Sequence, residues 1–515
     1  MTSERRIGII GAGIAGLAYA KVLKQAGFPV EVFDRAPDVG GVWSVTRRYP
    51  GLRAQNTKDT YHFSDFPMPS DYPRVLDGHH MQAYLAAYAE HFGLTEQLRL
   101  QTEVLAADPV DSGWLLEVRD RSGNPGGNRG ISRVACDHLV IANGAFSDPV
   151  LPEYRGTDRF RVAGGRICHS SEFLDLESVR GKSVVVVGYG TSACELATAV
   201  SEVAASTSVV ARRLLWKMPR TLSRTIDYER LLLTRFGEAH LRSPRPSLPD
   251  RFLDSLGESV RMSNIDLLQE LIVKRLRLRE LGLVPSGRFE EIAGSAGGLV
   301  PEGFFEQIEG GRITVHRDTT VTELDGGPHA APAVRLSTGQ VLQADIVVCA
   351  TGFQQRVPFL TPHVQHRLTD AQGNFRLYRQ ILPVDVPNVS FAGYNSSAIS
   401  TLSAEVAAHW TAALLTGGLR LPSAATRDEQ IDAWLRRIEE HTRGRHAHGT
   451  AVIPFALRNI DEMLADLEFR LPLRTRLAQW FRRIRPDSYR GLATRHTSGT
   501  DRTAQAASVE AELLS

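Results

Sequence analysis

One short grammar occurs twice in this chain. Ile7 to Ile10 (IGII) is an apolar run, followed by the turn GAGIAG, a helical stretch to about Gly27 and a second apolar run, VEVF. Ser183 to Gly188 (SVVVVG) is followed by YGTSACELATAV and then by SVVARR. Strand, glycine turn, helix, strand is the β-α-β pattern of a dinucleotide-binding sheet. Each copy has a distant closing strand that opens with Asp and ends Ala-Asn-Gly or Ala-Thr-Gly: DHLVIANG (Asp137 to Gly144) and DIVVCATG (Asp345 to Gly352). Two such units predict an α/β fold with two doubly wound, Rossmann-like domains, one for each nucleotide. At 515 residues the chain has room for two or three domains.

The predicted organisation is a first nucleotide-binding part over 1–165 and a second nucleotide domain over 166–335. A return to the first domain over 336–457 and a C-terminal helical extension over 458–515 follow. The second domain is predicted to carry a helical insertion over about 224–300, in which Leu267, Leu268, Leu271 and Leu276 fall near helical spacing. The residues after about His496 are polar and read as disordered.

In the first turn, Gly11 permits the tight bend, Gly13 lets the backbone approach a diphosphate, and Gly16 allows the helix to pack closely on the strand. The helix N-terminus offers unpaired N–H groups and a positive dipole end. The second strand ends in Asp34, whose carboxylate can accept from both ribose hydroxyls. Beyond it, RAPDVGGVW supplies a glycine pair suited to another close backbone contact. In the second turn, Gly188-Tyr189-Gly190-Thr191-Ser192-Ala193 has alanine at the third glycine position, a permitted variant. No acid ends the following strand; Arg212 and Arg213 stand there. A 2′-phosphate needs cations and arginine binds it in bidentate fashion, so the second site reads as one for NADPH. Lys217 and Arg220 extend the same basic stretch.

With 60 basic and 58 acidic residues, the net charge of +2 gives no whole-chain reason to expect a nucleic acid partner. The four cysteines form no CxxC pair, which disfavours a dithiol reductase or zinc ribbon and suits a reducing cytoplasm. The N-terminus runs straight into a strand and does not read as a signal peptide. No apolar run reaches the ~18 residues a transmembrane segment needs. Near the C-terminus, Leu473, Leu477, Phe481 and Ile484 form one helical stripe among arginines. The stripe suits a docking helix better than a membrane-surface helix.

These motifs resemble the flavin-containing monooxygenases, related to the Baeyer–Villiger monooxygenases. The resemblance runs to about Leu457. GAGIAG with VFDRAPDVGGVW is similar to the family's FAD site, so it implies FAD contacts from Gly11, Gly13, Gly16, Asp34, Arg35, Gly41, Val42 and Trp43. VGYGTSACELA with ARRLLWKMPR is similar to its NADPH site, implicating Gly188, Gly190, Thr191, Ser192, Ala193, Arg212 and Arg213. ATGF, holding Thr351 and Gly352, resembles the return to the FAD domain, and both residues are expected near cofactor. YPGLRAQNTKDTYHFSDFPMP matches the stretch that brings an asparagine to the flavin, here Asn56; an Asx turn is the plainer alternative. AGGRICHSSEF sits where the family has FxGxxxHSxxY, with Ala163 and Phe173 as departures. His169 there reads as a hinge more than as a proton carrier.

The resemblance implies an NADPH- and O2-dependent enzyme forming a flavin C4a-hydroperoxide that oxygenates an amine nitrogen or a sulfide of a small-molecule substrate. The rival outcome is Baeyer–Villiger conversion of ketones to esters or lactones, since RYPG followed by Arg53 matches that subfamily. Its next acidic residue is replaced by Gln55. A homodimer is left open.

Overall fold

The computed structural model describes residues 5–122, 130–222, 227–239, 258–289, 298–395, 397–442 and 456–493. The polar tail, Ser396 and parts of the insertion lie outside the described residues.

From the N-terminus, β1 (Ile7–Ile10) leads through α1 (Ile14–Gln25) to β2 (Val30–Phe33). Then come β3 (Arg53–Thr57), β4 (Leu98–Arg99), β5 (His138–Ile141) and β6 (Asp148–Pro149). β7 (Arg166–His169), β8 (Ser183–Val187), α2 (Thr191–Val200) and β9 (Ser206–Ala211) open the second unit. The insertion supplies α3 (Tyr228–Leu232), α4 (Arg235–Ala239) and α5 (Glu258–Arg275). After it run β10 (Ile313–Arg317), β11 (Ile346–Cys349), β12 (Phe353–Gln354), β13 (Val389–Phe391), α6 (Ser400–Leu415) and, near the end, α7 (Leu473–Ala478).

Two five-stranded sheets result, in the orders β13-β5-β1-β2-β4 and β7-β11-β8-β9-β10. Every pairing in both is parallel. The central strands are short aliphatic runs, buried along their whole length in β1, β5 and β11. Parallel strands covered on both faces need that continuous apolarity. α1 and the almost wholly buried α6 cover one face of the first sheet. Each unit also carries a three-stranded antiparallel meander, over 102–136 and over 321–343.

The expected return at residue 336 is displaced. β11 lies between β7 and β8 in the second sheet, so the chain crosses back only after Cys349. The Asp345 carboxylate accepts the Ser183 N–H at 2.7 Å, which pins this strand beside β8. The outward and return crossings pair with each other as the ribbon β6–β12, Asp148 opposite Gln354 and Pro149 opposite Phe353.

In the insertion, Ile272 and Val273 are the fully buried face of α5, with Leu268 and Leu276 partly buried against the second core. Leu267 and Leu271 point to solvent at 62% and 48% exposure, so the expected leucine stripe is only half a core face. The C-terminal arm docks through Gln479, Arg483 and Ile484. Leu473, Leu477 and Phe481 face outward.

Candidate active site

The first turn is built by close approach. Gly11 has φ +115°, and a Cβ there would lie 2.3 Å from the Ala142 carbonyl oxygen; one on Gly16 would lie 1.8 Å from the Gly11 oxygen. Only glycine allows α1 to abut β1 and β5 at these points. Gly40 N–H donates to Ala12 O at 2.9 Å. That folds the short turn Gly41–Trp43 against Gly13. Val42 in this turn packs on the first core. Gly13 caps α1 without a side-chain hydrogen bond, leaving the first amides open to an anion. Asp34 accepts Ala12 N–H at 2.7 Å and Ala36 N–H at 2.8 Å, one on each carboxylate oxygen. Burial raises its pKa against those bonds and the nearby Arg35 and Arg47. Burial, with Arg35 beside it, lowers that of Arg47 to about 10. Trp43 Nε1 and Arg48 Nη1 are buried donors with no partner among the described residues. Open helix amides, an acid at the strand end and two orphaned donors fit a flavin dinucleotide laid along this turn.

In the second turn, Gly190 caps α2 without a side-chain bond, and a Cβ there would meet nothing within 4 Å. The space suits a diphosphate. Gly188 meets Ala350 where the sheet strands end, and Ala193 is fully buried at the third glycine position. Arg212 and Arg213 follow β9 directly and are exposed. Lys217 and Arg220 do not join them. The WKMPR stretch turns inward, burying Trp216 and Met218. Lys217 is buried beneath the Tyr189 ring, 5.4 Å from its centre, and Arg220 donates to the carbonyls of Ala54 (2.9 Å) and Gln55 (2.7 Å). Ser192 turns its hydroxyl toward the first unit, and Thr191 turns its own toward the insertion. Thr191 Oγ1 faces Gly298, and Ser192 Oγ receives Tyr49 Oη at 2.9 Å.

Thr351 and Gly352 lie in the crossing seam. Thr351 donates to Val150 O, and the Gly352 carbonyl accepts Val150 N–H and contacts His169 Nε2, both at 3.0 Å. His169 is fully buried, edge-on to Phe353 at 4.8 Å. Its ring ties β7 to the return crossing. Tyr394, just after β13, donates to Asn143 Oδ1 at 2.9 Å.

Asn56 lies in strand β3 and not in an Asx turn, and is 3% exposed. Its Nδ2 donates to Ala398 O at 2.5 Å, and its Oδ1 lies 2.6 Å from Tyr228 Oη. Tyr228 comes from α3, so the insertion packs directly against Asn56. Beside it, Glu229 is fully buried and accepts from Thr57 N–H (2.7 Å), Thr57 Oγ1 (2.8 Å) and Thr60 Oγ1 (2.6 Å). Arg483 of the C-terminal arm closes the cluster at 3.2 Å from Glu229 and 2.9 Å from Asp59. β3 is thus held in place by the insertion and the arm together. Sequence reading missed Tyr228, Glu229 and Arg483, which carry no local motif.

A second buried cluster joins the units. Tyr49 Oη lies 2.6 Å from Glu195 Oε2 on α2. Burial raises the Glu195 carboxyl to about 7. A Cβ on Gly51 (φ +86°) would lie 2.9 Å from Glu195 O. The RYPG stretch is therefore a seam between the first unit and the helix of the second turn.

The family model described as flavin-binding monooxygenase-like matches residues 4–467. The chain is 27% identical over 508 residues to the putative flavin-containing monooxygenase 2 of Arabidopsis thaliana, covering 91% of this chain and 98% of that protein. Among solved structures, S-allyl-L-cysteine S-oxygenase from Allium sativum superposes with a TM-score of 0.60 at 18% identity, covering 92% of this chain and 91% of the other. OTEMO in complex with FAD and NADP gives 0.67 at 18% identity, covering 91% and 99%. At that identity the two structures speak for the fold. A family match over nearly the whole length, on a chain with two glycine-turn sheets in series, places it: this chain belongs to the flavin-binding monooxygenase-like family.

Proposed function

We propose that the chain is an NADPH-dependent flavin monooxygenase that binds FAD along the first turn and NADPH along the second, and oxygenates the nitrogen or sulfur of a small molecule. Gly11, Gly13, Gly16 and Gly41 make the diphosphate approach of FAD. Asp34 receives its adenosine ribose, and Trp43 and Arg48 offer it donors. Gly188, Gly190 and the α2 N-terminus take the coenzyme diphosphate, and Arg212 and Arg213 take its 2′-phosphate. Bound FAD supplies the redox chemistry between NADPH and O2. The protein's part is to orient, shield and keep stray protons away.

The observation that carries the reading is the state of Asn56: a buried, uncharged amide clamped between Ala398 of the first unit and Tyr228 of the insertion. With one Nδ2 proton and Oδ1 engaged, its remaining Nδ2 proton can donate to a ligand. No charge comes with it that could protonate a bound oxygen species early. Gln55 stands where the rival subfamily has an acid, which supports nitrogen or sulfur oxygenation over ketone insertion. Asn56→Ala is expected to retain FAD and to yield roughly tenfold less product per NADPH, the balance appearing as H2O2, because one such contact is worth about 1–3 kcal/mol. The measurement is product and H2O2 per NADPH, with a sulfide and a ketone offered in parallel. Unchanged coupling would remove Asn56 from the chemistry, and an ester or lactone without any S-oxide would reverse the substrate class.

A further inference from the structure

The C-terminal arm has two faces. Its inner face is committed. Gln479 accepts Arg235 Nε–H at 3.0 Å and donates to Tyr489 Oη at 3.2 Å, Ile484 is 1% exposed, and Arg483 reaches Asp59 and Glu229. Its outer face presents Leu473, Leu477 and Phe481 at 70%, 58% and 81% exposure. Phe236 of α4, 44% exposed, lies against Phe481 with ring centres 6.4 Å apart. The apolar stripe is thus surplus to the core, which the arm already meets with its other side. Flanking it, Arg474, Arg476 and Arg482 are exposed. In a chain with a net charge of only +2, Phe481 and Leu473, the two most exposed large apolar side chains among the described residues, stand beside three arginines.

We infer that this face docks on an anionic lipid surface, with Leu473, Leu477 and Phe481 entering the headgroup boundary and Arg474, Arg476 and Arg482 meeting lipid phosphates. Leucine and phenylalanine beside arginine is the composition of an in-plane interfacial element. Charge complementarity selects the partner: a protein docking site of this size would not need three cations ringing the apolar stripe, whereas an anionic leaflet rewards each of them. No described helix is long and apolar enough to cross a membrane, so the attachment is peripheral and reversible. The same arm reaches Glu229, the chain neighbour of the Tyr228 that holds Asn56.

The test is co-sedimentation of the FAD-loaded full chain with phosphatidylcholine vesicles, with and without about one-third phosphatidylglycerol. The wild type is expected to partition at least tenfold more strongly onto the anionic vesicles and to be released by high salt. Each arginine is worth roughly fivefold in partition, so Arg474→Glu, Arg476→Glu and Arg482→Glu together should cost about a hundredfold or more on anionic vesicles. Leu473→Ser, Leu477→Ser and Phe481→Ser together should lower partition onto the anionic vesicles at low salt at least tenfold. These side chains are exposed, so both variants should keep their flavin absorbance and melting temperature, which separates lost docking from lost folding. Equal binding to both vesicle types, no binding to either, or an unchanged partition in both variants overturns the inference. So does a wild-type dimer in solution that Phe481→Asp converts to monomer, since the face would then belong to a second copy.

Discussion

Tyr228 has a single hydroxyl proton and two acceptors within reach, Asn56 Oδ1 at 2.6 Å and Gln55 O at 2.8 Å. Arg220 already donates to the Gln55 carbonyl at 2.7 Å, so the tyrosine proton goes to Asn56. That choice fixes the amide: with oxygen toward Tyr228 and nitrogen toward Ala398, the uncommitted proton is an N–H. Burial holds the Tyr228 phenol well above its usual pKa, so it stays a donor at any working pH. Tyr228→Phe should free the amide to turn and raise H2O2 per NADPH several-fold, with FAD retained. The double variant with Asn56→Ala should be no less coupled than Asn56→Ala alone, because residues acting through one contact are not additive. Additive losses in that cycle would show Tyr228 acting elsewhere. The glycine turns, Asp34 and the Arg212–Arg213 pair were legible because each sits within a few residues of the strand that positions it. Tyr228 and Arg483 were not, because they reach Asn56 of β3 and Asp59 just beyond it from 172 and 424 residues away, and only the packed insertion and arm bring them there.

At the scale of elements, the repeat runs deeper than its glycines. Asp137 accepts Arg6 N–H at 2.7 Å, and Asp345 accepts Ser183 N–H at 2.7 Å. Each closing strand therefore carries an acid that caps the first strand of its own sheet, which is why Asp leads both. The repeat was readable as two sheets from this pattern; the point of return was not, since a buried strand of one sheet reads like that of the other. The seam between units rests on RYPG against α2. Gly51→Val would place a branched side chain at φ +86° and drive it into the Glu195 backbone. Backbone strain of that kind costs of the order of 1–3 kcal/mol. The substitution should displace the α2 N-terminus and raise the NADPH KM about tenfold or more while FAD absorbance persists. An unchanged KM would mean that the seam does not align the coenzyme helix.

Across the whole molecule, buried titratable groups set how stability follows pH. Glu195, Glu238 and Glu405 are each raised by burial to about 7. Their protons are held more tightly in the fold than in the unfolded chain. Their contribution is full below about 4.5 and is lost as pH rises through 7. His138 is the opposite case: burial lowers it to about 3, so its contribution is present above about 6.5 and lost as pH falls toward 3. Between pH 6.5 and 8 the three glutamates outnumber Lys217, whose pKa burial lowers and whose contribution has the opposite sign. The melting temperature should fall by a few degrees over that interval, and Glu405→Gln should flatten the slope. A melting temperature that rose from pH 6.5 to 8 would contradict this assignment. The topology also sets a timetable for synthesis. β5 waits for its outer partner β13, and roughly 250 residues separate Ile141 from Val389. At 5–20 residues per second a ribosome needs roughly 12–50 s to cover that distance. Throughout that time the first sheet has an unpaired apolar edge, while the second unit is made whole and can fold on its own. Aggregation during expression should begin at that edge, and a chain cut between the units would never close it.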